Sequence, residues 1–126
     1  MNASSEDIKD MILAIPNIGL VFGINFFIGK EPAKPNDTVV IFDTTNPGPQ
    51  KVLDNALYEY PSVQVRVRNT DYKQGWDLIH KIMLSLHGRG HETWGGSIYE
   101  VIYCSSGPAM LDWDDDQRVR FIVNFN

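Results

Sequence analysis

The chain has 126 residues, of which 43% are apolar and 21% charged; this ordinary globular balance excludes a disordered chain and suffices for a core without staples. Eleven basic against sixteen acidic side chains give a net charge of −5, which excludes the basic stripe that grips nucleic-acid phosphates. Cys104 is the single cysteine, so no intrachain disulfide forms and a reducing compartment is expected. The length predicts one domain over residues 1–126.

Ser4 and Ser5 offer a helix N-cap, and Glu6 and Asp7 suit the positive end of its dipole. Ile8, Met11, Ile12 and Ile15 then fall at helical spacing, and Pro16 ends the run. Met11 to Gly29 carries no charged side chain, which raises the question of a membrane span. Pro16, Asn17, Gly19, Gly23 and Asn25 interrupt any continuous apolar helix, and the acidic residues before it are wrong for a signal peptide. The segment reads instead as a helix end followed by a buried strand, Leu20 to Ile28, with Gly23 at a bulge or a close backbone approach. Glu31 to Asp37, with two prolines, is a loop, and Thr38 to Phe42 is a strand ended by Asp43.

Thr44 to Pro61 has no steady period and holds a weakly helical piece, Lys51 to Leu57; a long irregular loop in a small domain usually has a function. Val63, Val65 and Val67 alternate with Gln64, Arg66 and Arg68, the pattern of a half-buried strand with a solvated, basic face. Asn69 to Asp71 caps a helix in which Tyr72, Trp76, Ile79, Met83 and Leu86 recur at four- and three-residue steps until Gly88. Gly88 to Gly96 is glycine-rich turn, Ile98 to Tyr103 a strand broken after by Gly107-Pro108, and Val119 to Phe125 a closing alternating strand. The order α, β, β, β, α, β, β predicts an α+β fold: a mostly antiparallel sheet with two main helices packed on one face.

No set of side chains assembles a recognisable active site. His80, His87 and His91 lack a zinc spacing, and no cysteine or acidic pair completes them, so no metal is expected. Asp112, Asp114, Asp115 and Asp116 are dense enough for a hard cation. A calcium loop wants a glycine turn and a distal glutamate, and Gln117-Arg118 stands there instead; a solvated turn between strands is expected. Cys104 reads as a small buried hydrophobe at a strand end. Ser105-Ser106-Gly107 lacks the flanks of a nucleophile elbow, and Gly88-Arg89-Gly90 follows a helix where a phosphate cradle would open one. No catalytic residue and no cofactor is expected. Arg66 and Arg68, with Arg118 and Arg120, form a solvated strand face or, if their strands are neighbours, meet acidic partners or a second subunit.

Four pieces in order carry a family resemblance: Val39 to Thr44, Tyr60 to Arg68, Asp71-Tyr72 opening the long helix through Leu86, and the closing Arg120 to Phe125. The series resembles the phage minor capsid or tail terminator proteins, similar in fold to the tail-completion subunit of long-tailed phages, over about Ile8 to Asn126. The resemblance implies a structural virion protein with no catalytic residues. It implies a homo-oligomeric ring, typically a hexamer, that ends the tail tube at the neck, contacts the tail-tube and head-tail connector proteins, and is assembled in the host bacterial cytoplasm. DNA would pass through such a ring without specific binding, and no membrane partner is implied. The expected interface residues are Tyr58, Arg66, Arg68, Arg89, His91, Trp94, Trp113, Asp114 and Asp115, on the two long loops, the acidic turn and the basic strand face. The alternatives are another neck or head-completion protein and, from a different class, a small metal-dependent hydrolase using Asp112 to Asp116 with His87 or His91.

Overall fold

The computed structural model describes residues 3–44, 50–51, 57–58 and 61–126. Helix α1 covers Ser4–Leu13 and helix α2 covers Tyr72–Leu86. Five strands, β1 (Phe26–Ile28), β2 (Thr38–Thr44), β5 (Ser62–Asn69), β8 (Cys104–Trp113) and β9 (Val119–Phe125), form one sheet in the order β1-β2-β5-β9-β8. Two short antiparallel ladders stand outside it: β3 (Gln50–Lys51) with β4 (Leu57–Tyr58), and β6 (Glu92–Trp94) with β7 (Ser97–Tyr99). The sheet is antiparallel apart from β1, which runs parallel to β2. The fold is α+β, as the alternation of elements predicts.

Strand register explains the core. Phe26, Val39, Val67 and Phe121 stand in one cross-strand row, and Ile28, Ile41, Val65 and Val123 in the next. Period-two alternation turns these rows to one face, where Ile8, Met11 and Ile12 of α1 and Ile79, Ile82 and Leu86 of α2 bury them. Each such aliphatic side chain, fully buried, contributes about 1.5–3 kcal/mol. Asp71 caps α2 as expected, its carboxylate accepting from the N–H groups of Lys73 and Gln74. Gly75 lets α2 approach the sheet, since a Cβ there would lie 2.8 Å from the Phe121 ring.

Several local expectations fail for identifiable reasons. Ser4 is already helical and the cap position is Ala3; the hydroxyl and N–H of Ser5 instead bind the Asp43 carboxylate. The helix stops at Leu13, before Ile15. The expected strand from Leu20 shrinks to Phe26–Ile28, because Gly19 and Gly23 take left-handed φ values of 73° and 86° and residues 23–25 form a turn. Val21, Phe22 and Ile24 are exposed rather than buried. Lys51 and Leu57 pair across the β3–β4 ladder and are not helical, while the piece between them lies outside the described residues. The expected strand Ile98–Tyr103 divides: Ser97–Tyr99 turns back on Glu92–Trp94, and the sheet strand begins at Cys104. That strand runs through Gly107-Pro108 instead of breaking there. It is an edge strand with three shifts of register, and a proline costs no ladder bond on an open edge.

Candidate functional site

The basic strand face is not solvated. Register sets Arg68 directly opposite Arg120 across β5 and β9, two like charges that would destabilise the pair if left alone. The loop 29–37 solves this by folding back across the sheet face away from the helices. Its Glu31 carboxylate accepts from Arg120 at 2.8 and 3.0 Å and lies 3.4 Å from Arg68. Arg68 is 2% exposed and also donates to the carbonyls of Pro35 and Asn36, while Arg118 donates to that of Ala33. Burial, with Arg118 nearby, pulls the Arg68 guanidinium below its usual value. Hydrogen bonds to Glu31 chiefly, and then to Asp112, hold Arg120 protonated well above its usual value. Arg66 behaves differently: its guanidinium lies over the Phe42 ring and donates to Gln64, and its buried Nε meets no acceptor among the described residues.

The acidic run is a β8–β9 turn, but only part of it is solvated. Asp114, whose side chain is 7% exposed, accepts from the backbone N–H groups of Asp116 and Arg118 and from Arg118 Nε at 2.7 Å. Burial pushes the Asp114 carboxyl up, yet these bonds from Arg118 and the Asp116 N–H outweigh it and hold the group below its usual value. Asp112 pairs with Arg120 at 3.1 Å. Asp115 is exposed, as is Asp116 with a 3.3 Å pair to Arg118. Trp113, half exposed, stacks on Tyr72 at 6.3 Å, and Tyr72 packs edge-on against Phe121 of the core at 4.9 Å. A ladder of aromatic rings therefore leads from the core to the sheet edge.

The glycine-rich segment after α2 is an ordered hairpin. Glu92 accepts from Arg89 at 2.6 and 2.8 Å and from the Trp94 indole at 3.0 Å, and these bonds, those from Arg89 first, lower its carboxyl to about 2. Gly90 packs so closely that a Cβ would lie 2.4 Å from the Glu100 carbonyl. Tyr99 donates to the Asp7 carboxylate and ties the hairpin to α1; burial and that bond push its phenol far above its ordinary range.

The nine expected interface residues thus separate. Arg68 and Asp114 are internal struts. Arg89 and Trp94 come together on the hairpin, with the largely exposed His91 beside them near Glu100. Trp113 and Asp115 lie at the edge of the sheet. Tyr58 is on β4, with its side chain outside the described residues. Sequence reasoning missed Tyr72 as a surface residue, because its helical spacing suggests a core position, and missed the exposed Met110, Leu111, Val21, Phe22 and Ile24.

Among the described residues no group of three or more His, Cys, Asp or Glu side chains converges to hold a metal ion. The His80 ring packs on Trp76, His87 accepts the Cys104 N–H at its Nδ1, and the exposed His91 lies beside Glu100. Cys104 opens β8, half-buried, and burial pushes its thiol up, away from the thiolate a nucleophile needs. No helix of the described chain is long and apolar enough to cross a membrane. The geometry is that of a sheet covered by helices on one face, with apolar and charged groups exposed at its edges.

No curated protein matches the sequence. A family model described as bacteriophage tail terminator protein matches residues 4–126, so nearly the whole chain is accounted for, and the protein belongs to this family of structural phage tail proteins of the virion.

Proposed function

We propose that copies of this chain close into a ring, six-fold in the virion, that ends the tail tube at the head–tail junction and meets the connector on its other side. The match of residues 4–126 to the tail terminator family carries this reading. The fold supports it: a ring needs head-to-tail contacts that close, and this sheet holds ordered surface groups at both edges. The interface would draw on Trp113 and Asp115 at the acidic turn, Arg89, His91 and Trp94 on the hairpin, Arg66, and Tyr58 on β4, with Arg68 and Asp114 acting from beneath. Subunits would be made in the host bacterial cytoplasm and order onto the tube end. The net charge of −5 suits a lumen that repels DNA and lets it slide without specific binding.

Electron microscopy of tails assembled with and without the protein tests the reading. The expected result is a ring at the end of tubes of uniform length, lost when the protein is withheld. Tubes that end without its density, or its density elsewhere in the neck or head, would overturn it. Tight binding of the purified protein to duplex DNA at moderate salt would overturn the account of the lumen.

A further inference from the structure

Two groups of exposed large apolar side chains lie at opposite edges of the sheet, while Leu84, Ile98, Val101 and Tyr103 are exposed elsewhere. At the β8 edge stand Met110 and Trp113, with Tyr72 of α2 stacked on Trp113. At the β1 edge the turn before the strand carries Val21, Phe22 and Ile24, exposed by 45–64%. The second patch is as ordered as the first. Asn25 accepts from the Val21 N–H at 2.7 Å and donates to the Gly19 carbonyl, and the Gly23 N–H donates to Phe26, so the turn is braced from within.

The two patches are complementary in charge. Beside Trp113 lie the exposed Asp115 and Asp116, and the whole cluster sets Glu31, Asp112, Asp114, Asp115 and Asp116 against Arg68, Arg118 and Arg120, leaving an acidic surplus. Around the apolar turn stand lysines. Lys9 lies 4.7 Å over the Phe22 ring but is already paired with Glu6 and Asp10 of α1, at 3.3 and 3.2 Å; Lys81 reaches the Asn17 carbonyl, and the exposed Lys30 follows β1. Neither Lys30 nor Lys81 has a carboxylate partner among the described residues. Pairing the acidic patch with its own copy would set two aspartate turns against each other, whereas pairing it with the β1 edge sets Lys30 and Lys81 against them. Three shifts of register and Pro108 make the β8 edge a poor template for continuous strand addition, so side chains carry the contact.

We propose that the β1-edge turn of one subunit, through Val21, Phe22 and Ile24, seats on Tyr72, Met110 and Trp113 at the β8 edge of the next, with Lys30 and Lys81 facing Asp115 and Asp116. The outer strands are separated by four strand spacings, about 19 Å, so each subunit has distinct head and tail surfaces, as a closing heterologous contact requires. This inference rests on the ring reading and names the contact that would build it.

Cysteines at Ile24→Cys and Met110→Cys, in a Cys104→Ser background, test the contact in purified tails with a bismaleimide whose arm spans about two strand spacings, about 10 Å. The double variant is expected to give a ladder of covalent multimers ending at the closed ring, and each single variant none. Multimers from Met110→Cys alone would mean a self-paired edge, and cross-links to a different tail protein would mean another occupant; either overturns the proposal. A ring visible in the microscope with no ladder overturns the contact and leaves the ring reading standing, whereas wild-type tails with no ring sink that reading itself. A second measurement uses exposed charges only. Lys30→Glu and Asp115→Lys are each expected to reduce the share of tails carrying a complete ring, and their combination to restore it; equal losses in single and double variants would overturn the pairing.

Discussion

Replacing Glu31 by glutamine isolates the charge that the fold depends on, because it keeps the side-chain volume. The carboxylate is 13% exposed and serves Arg68, 2% exposed, together with Arg120, 21% exposed. After the change Arg118 keeps Asp114 and Arg120 keeps Asp112, but Arg68 keeps only backbone carbonyls, with Arg120 still opposite in register. Breaking a buried pair from one side costs about 3–5 kcal/mol. The glutamine oxygen still accepts one bond and Arg120 is partly hydrated, so the expected loss is about 2–3 kcal/mol, or about 8–15 °C in Tm for a domain of this size. Urea unfolding followed by tryptophan fluorescence measures it, with the slope unchanged. Adding Arg68→Met removes the stranded cation, so the double variant should be less destabilised than the sum of the singles by at least about 1 kcal/mol. A Glu31→Gln loss below about 0.5 kcal/mol, the scatter of ordinary surface changes, or strict additivity of the pair, would refute the reasoning.

Gly75→Ala is expected to destabilise by roughly 1 kcal/mol despite a gain of similar size in helix propensity, because the methyl meets the Phe121 ring at 2.8 Å and Tyr72 and Trp76 hem that ring in; a stabilised variant in thermal melts would contradict this. Glu92 has its carboxyl lowered to about 2, so its contribution to stability is complete above the ordinary glutamate value of 4.5 and is lost as pH falls from there through about 2. Carbon NMR of the carboxyl should show that midpoint, and Arg89→Gln should move it back towards 4.5. Tyr99→Phe removes a buried donor to Asp7 and should cost about 1–3 kcal/mol while raising hydrogen exchange in the β6–β7 hairpin; unchanged exchange would mean the hairpin is held otherwise. Trp113→Ala should leave the core intact and abolish the seating of the protein on tails, and unchanged assembly in tail preparations would remove Trp113 from the interface.

Local chemistry made much of the scaffold legible. The Asp71 cap, the helical stripe after it and the alternating valines of β5 and β9 follow from backbone periods that neighbours cannot change. What the same alternation could not say is what covers the far face. Arg66 and Arg68 read as a solvated face unless their strand neighbours that of Arg118 and Arg120, and nothing local predicts that it does or that a loop thirty-odd residues before Arg68 folds over it with Glu31; both are decided by the order of strands in the sheet. The apolar turn at Val21 to Ile24 was misread for a related reason. An exposed apolar turn has the composition of a core, and only Gly19 and Gly23, which allow left-handed φ values, distinguish a turn from a strand there. Pro108 misled in the opposite direction, since its ban applies to a paired strand and β8 has one open side. The candidate interface residues stand out in the sequence only as residue types; their division into internal and surface side chains needs the fold.

That division bears on how such a subunit could hold a precise geometry. A ring closes only if every subunit holds the same angle between its two contact surfaces, and an angle is held by what lies between them. Here the span from the β1 turn to the β8 turn is a hydrogen-bonded sheet, clamped by helices on one face and on the other by a loop whose single carboxylate joins two arginines. Asp114 fixes the acidic turn to the start of β9 through Arg118, and Tyr72 fixes Trp113 to the core through Phe121. Buried charge is a poor source of stability compared with apolar packing, but its bonds are directional, and direction is what the geometry of closure demands. On this account the Glu31 cluster is best understood as an angular brace. Weakening it should therefore disturb ring closure at temperatures where the subunit itself is still folded.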